Sequence, residues 1–89
     1  MLRAAGRHLQ TVAKAPPGLT LADADRALVA PGHVLLFRAR IGAVAKHCAI
    51  VTGPDLMVHS YAGIGVTETS IGIWSSRIAG VFAFPLQQT

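Results

Sequence analysis

The sequence predicts an α+β fold: an N-terminal helix followed by a curled antiparallel sheet of about five strands. Three observations support this. Apolar residues recur at helical spacing before residue 15, the break Ala15-Pro16-Pro17-Gly18 closes that stretch, and from residue 33 onward short apolar runs alternate with glycine-containing connections. The chain therefore divides into a helical lead-in over 1–30 and an antiparallel sheet over 31–89, within a single domain.

The first helix is carried by Leu2, Ala5, Leu9, Val12 and Ala13, with Arg3, Arg7, Gln10 and Lys14 elsewhere around the barrel. The first 22 residues contain no acid, a composition shared with organelle transit peptides, but the apolar period favours a helix. Pro16 and Pro17 end it, because proline lacks the amide donor and disfavours helical dihedrals in the residue before it. Thr20 with Asp23 fits a capping box for a short helix over Leu21–Leu28, and Pro31-Gly32 breaks the chain again. Strands are expected near 33–39, 46–52, 56–61, 65–69 and 79–84, with one helical turn at Ile73–Arg77. Five short strands in about 50 residues suggest a curled sheet or half-barrel.

Two histidines stand out on neighbouring strands: His47 in Ala45-Lys46-His47-Cys48-Ala49-Ile50-Val51-Thr52-Gly53 and His59 in Leu56-Met57-Val58-His59-Ser60-Tyr61. Gly53-Pro54-Asp55 between them has hairpin composition, so the strands run antiparallel. About a turn centred on Pro54, His47 lies seven residues before and His59 five after, a diagonal offset on one face. Diagonal neighbours sit roughly 7–8 Å apart at Cα, within reach of an imidazole pair. Alternation sends Cys48 to the face opposite His47, so that thiol cannot be served by its neighbour. A lone cysteine in an apolar strand behaves as a small hydrophobe, and with no second cysteine the chain forms no internal disulfide.

Val34-Leu35-Leu36-Phe37-Arg38, the His47 and His59 segments, and Arg77-Ile78-Ala79-Gly80-Val81-Phe82-Ala83-Phe84-Pro85 together resemble the NlpC-type cell-wall cysteine peptidases. The likeness covers roughly residues 30–85 and is strongest to the compact branch carried by phage tails and gene transfer agents. It implies the sheet half of a papain-like domain, cleavage of amide bonds in peptidoglycan stem peptides, and no cofactor or metal. It also implies that His47 is the general base, that His59 orients it, and that Tyr61 lines the cleft. Two positions depart from the family. Its nucleophilic cysteine precedes the base in an Asp-Cys motif, and no cysteine precedes His47 here; Gly32-His33 stands where the family has Gly-Asp.

Without that thiol the isolated chain should be close to inactive, since losing the nucleophile of a catalytic triad costs on the order of a millionfold in turnover. Three readings follow: a truncated gene product, half of a split enzyme, or a pseudoenzyme kept for binding. The resemblance places the protein in the bacterial cytoplasm before assembly into a phage-like particle. The alternative class is a noncatalytic structural or interaction module of a tail-like assembly.

Composition bounds the partners. At 89 residues folding buries only roughly 60–65% of the unfolded surface. With 52% apolar and 13% charged residues, part of the apolar surface must stay uncovered on an isolated domain. A tail or assembly protein on the exposed sheet, or a second copy of the chain, would cover it. No apolar run approaches the roughly 20 residues of a transmembrane helix. The net charge of +4 raises a nucleic-acid-binding barrel as a third class, but the eight Lys and Arg are scattered rather than striped. Zinc is disfavoured too: His33, His47, His59, Cys48 and Asp55 lack any Cys-x-x-Cys or His-x-x-x-His spacing.

Overall fold

The computed structural model describes residues 9–40, 42–61 and 65–85, with the Tyr61 side chain outside that description. Six strands form one antiparallel sheet: β1 (Gln10–Lys14), β2 (Val34–Arg38), β3 (Ala45–Gly53), β4 (Leu56–Tyr61), β5 (Gly65–Ser70) and β6 (Ile78–Ala83). Their order across the sheet is β1-β6-β2-β3-β4-β5. The four strands from β2 to β5 form a meander, and β6 returns to the free side of β2, where β1 then joins it. The sheet is open, with β1 and β5 at its edges.

The expected N-terminal helix is not seen. Gln10–Lys14 is a strand, paired with β6 through Gln10↔Ala83, Thr11↔Phe82, Ala13↔Val81 and Lys14↔Gly80, while residues 1–8 lie outside the described residues. The register shifts between Thr11 and Ala13, so a bulge brings the consecutive Val12 and Ala13 both against the core. A bulged strand thereby puts Val12 and Ala13 on one side, the adjacency that reads as helical, while Leu9 is exposed. The sheet has six strands rather than five, and the longest α-helix among the described residues is the single turn α1 (Asp23–Arg26). The capping box does not form: Ala22 is the N-cap, without a side-chain cap. Asp23 instead pairs with Arg26, whose guanidinium also donates to the Leu21 carbonyl at 2.6 Å.

Alternation sorts the strands as the apolar pattern requires. Leu35 and Phe37 of β2, Ala49 and Val51 of β3, Met57 of β4 and Val81 of β6 are all buried, with Leu35, Phe37, Met57 and Val81 at zero exposure. Leu21, Ile71 and Ile78 complete this core, and Val29 and Trp74 pack against it. The strap between β1 and β2 is tied down by Ala15 N–H donating to Ala79 O at 2.9 Å and Leu21 N–H to Ile78 O at 2.8 Å. On the other alternation phase Cys48 is exposed and Ile50 is 48% exposed. No helix among the described residues is long and apolar enough to cross a membrane.

Gly80 lies under the Phe82 ring. A Cβ placed there would stand 2.9 Å from Phe82 Cε2 and 3.0 Å from Cζ, so Gly80→Ala must displace the ring. Overpacking of this kind costs about 1–3 kcal/mol. The unfolding free energy of G80A from a urea titration should fall by the lower part of that range, seen as a lower midpoint with the m-value unchanged.

Candidate functional site

The β3–β4 turn positions the site. Ile50↔Val58 and Val51↔Met57 are symmetric about Pro54, and Gly53 then pairs with Leu56, leaving Pro54-Asp55 as a two-residue loop. Proline at the first loop position excludes the turns that demand a positive φ there; Asp55 at the second has φ 56. The register shift between Val51 and Gly53 absorbs the resulting mismatch in twist. Continued along the strands, this register sets His47 and His59 on the expected diagonal.

The two imidazoles meet. His47 Nε2 lies 2.8 Å from His59 Nδ1, and His59 Nε2 lies 2.9 Å from Thr69 Oγ1 on β5. His59 is 4% exposed, the one buried polar side chain among the described residues, and both its ring nitrogens are engaged. The contact between the rings holds a single proton. If His47 Nε2–H donates, His59 carries its proton on Nε2 and donates to Thr69, and His47 Nδ1 presents a lone pair. That tautomer makes Thr69–His59–His47 a relay ending in a base.

Thr69 is absent from the sequence reading, although the same arithmetic reaches it. β4 and β5 pair as His59↔Thr67 and Met57↔Thr69, which puts Thr69 diagonal to His59 on one side as His47 is on the other. The signal was present in the alternation of Gly65–Ser70 but needed the register of a second hairpin.

An aromatic cage holds His47. Trp74 stacks on it at 5.7 Å between ring centroids and 24° between planes, and Phe37 lies at 5.9 Å. Trp74 also meets His59 and Phe37 edge-on, at 5.5 and 5.8 Å. It is delivered by a 3-10 helix (Gly72–Arg77) near the expected helical turn, and the Pro54-Asp55 loop anchors that helix. The Asp55 carboxylate accepts from Ser70 Oγ at 2.6 Å and Gly72 N–H at 2.7 Å, and its carbonyl accepts from Ile71 N–H at 3.0 Å. One tight turn thus sets both the register of the histidines and the position of the ring over them.

A groove of about 380 Å³ opens beside His47. Phe37, Val44 and Trp74 contribute apolar lining, and Arg38, Lys46 and Arg77 line it as well. Ser60 also lines it, but no hydrogen bond joins Ser60 to His47. The exposed Cys48 pairs with Leu36 on the opposite alternation phase, away from this arrangement. Tyr61 pairs through its backbone with Gly65, and its side chain lies outside the described residues. Among the described residues no three His, Cys, Asp or Glu side chains gather as a metal-binding set.

Burial first, and the neighbouring His59 second, hold His47 below its ordinary pKa of 6.5. The folded state therefore takes up a proton here less readily than the unfolded chain. The stability that follows is complete above about pH 6.5 and is lost as pH falls through the lowered pKa of the folded protein. Arg38, Lys46 and Arg77 line the same groove as His47. Thermal unfolding at pH 7.5 and pH 5 should show a loss of stability on acidification that is smaller in His47→Gln.

Comparisons with protein-family models, curated proteins and solved structures give no match for this chain.

Proposed function

We propose that this protein carries the base side of a cysteine-peptidase site of the NlpC type, acting on peptidoglycan stem peptides in a phage-derived or tail-like particle. The observation that carries the reading is the 2.8 Å contact between His47 Nε2 and His59 Nδ1. It engages the far nitrogen of the base with an orienting group and leaves His47 Nδ1 without a hydrogen-bond partner among the described residues. The thiol comes from outside residues 1–89, on an upstream segment or a partner chain. Its proton passes to His47 Nδ1 as sulfur attacks the amide carbonyl. The C–N bond then breaks, the amine leaves with that proton, and water hydrolyses the thioester.

The test is to read the coding DNA upstream of Met1 and assay the product it specifies on a γ-D-glutamyl stem peptide. An in-frame Asp-Cys segment whose product hydrolyses the peptide supports the reading. Hydrolysis by the 89-residue chain alone overturns the claim that the nucleophile is missing. The exposed Ile50 and Cys48 on the outer side of β3 favour a second reading, a noncatalytic module docked in a tail-like assembly. An upstream stop codon, together with unchanged assembly of a double His47→Ala, His59→Ala variant, selects that second reading.

A further inference from the structure

The groove beside His47 carries more positive charge than proton transfer requires. Arg38 ends β2, Lys46 lies near the start of β3 and Arg77 ends the 3-10 helix, and all three line this one hollow. Among the described residues, no Asp or Glu lines it. Among the described residues the one ion pair is Arg26–Asp23, so no carboxylate neutralises any of the three.

Their roles differ. Arg38 braces the loop after β2, with Nε donating to Leu19 O and Nη1 to Ala43 O, both at 2.7 Å. Arg77 has its guanidinium carbon 5.3 Å from the centre of the Trp74 ring, a cation–π arrangement that holds its donors near the groove. Lys46 is exposed and makes no hydrogen bond among the described residues. Three like charges around an aromatic hollow repel one another, and an anion relieves that repulsion.

We propose that the groove recognises the carboxylate of an acidic peptide. Arg77 and Lys46 bind the carboxylate, and Trp74 and the exposed Val44 take the adjoining apolar part, which brings the peptide chain alongside His47. The carboxylate requirement rests on the three cations and the absence of an acid; the choice of a peptide rests on the peptidase reading above.

Trp74 is the only tryptophan in the chain, so its emission reports this groove. The probes are N-acetyl-alanyl-glutamate, its diamide and inorganic phosphate, titrated into the 89-residue protein at low salt. The acid should change Trp74 emission saturably and bind roughly tenfold or more tightly than the diamide, as a charge-assisted contact to a guanidinium provides. Lys46→Gln and Arg77→Gln should each weaken the acid and so narrow its advantage over the diamide.

Equal binding of acid and diamide overturns the proposal. So does phosphate binding as tightly as the dipeptide, which marks a bare anion site, or tighter binding of a short DNA duplex with a steep salt dependence. Binding needs no thiol, so the two readings fail separately. A thiol-bearing product that binds the acid but does not hydrolyse stem peptide refutes the peptidase reading and retains the groove. Hydrolysis without discrimination between acid and diamide does the reverse.

Discussion

On the peptidase reading proposed above, replacing His47 by alanine in a product that also carries the nucleophilic thiol should cut turnover by on the order of 10⁵- to 10⁶-fold, with little change in KM. A nucleophile and its base act as a unit, so removing the base leaves the thiol unactivated and costs nearly as much as removing the whole constellation. His59→Ala should cost less, on the order of 10⁴-fold, because the base remains and only its tautomer and orientation are lost. The double variant should be no worse than His47→Ala alone, since an orienter without a base orients nothing. Single-turnover assays with each variant, checked for folding by urea titration, would decide this. Activity within tenfold of the parent in both single variants removes the histidine relay from the mechanism. The folding check matters most for His59, whose loss leaves His47 Nε2 and Thr69 Oγ1 without their partner.

Phe37→Ala should remove a large share of the domain's stability. Phe37 has zero exposure, pairs with His47 on one side and Ile78 on the other, and packs its ring against both His47 and Trp74. Truncating a buried phenylalanine costs about 3–5 kcal/mol. At about 0.05–0.15 kcal/mol per residue, a chain of this length has roughly 4–13 kcal/mol in total. Circular dichroism in a urea series should show an unfolding free energy lower by about 3–5 kcal/mol than that of the parent. Phe37→Leu, which keeps most of the volume, should remain folded with a loss of about 1.5 kcal/mol or less. Because the same ring cages His47, even that milder change should alter Trp74 emission. A full-strength urea midpoint for Phe37→Ala would mean that the core lies elsewhere.

The legible part of this molecule was local. Alternation along β3 placed Ala49 and Val51 on the face of His47 and Cys48 and Ile50 on the other, as the burial shows. A turn centred on Pro54 set the diagonal that His47 and His59 occupy, because register in a short hairpin follows from loop length and from which face must be buried. The 3-10 helix falls almost where the last helical pattern was expected.

Features that depend on distant residues were not legible. The adjacent apolar pair Val12 and Ala13 satisfies a helical period and a bulged strand equally well. The choice fell to β6, whose unpaired edge offers backbone partners that an isolated segment lacks. The Thr20/Asp23 capping box lost to Arg26, which takes both Asp23 and the Leu21 carbonyl. Thr69 and Trp74 reach the histidines only when the β4–β5 register and the Asp55 anchor of the 3-10 helix are both in place.

The sequence by itself therefore determined the β3–β4 hairpin, the face that His47 shares with Ala49 and Val51, and the diagonal offset that puts His47 within reach of His59. All of these follow from side-chain alternation and turn chemistry within short stretches of chain. Only the tertiary structure decided that the N-terminal segment is a strand, that Thr69 completes the relay, and that Arg38, Lys46 and Arg77 share one groove. Each of those depends on backbone pairing or packing between segments far apart in the chain, and local pattern carries no information about which distant partner will satisfy it.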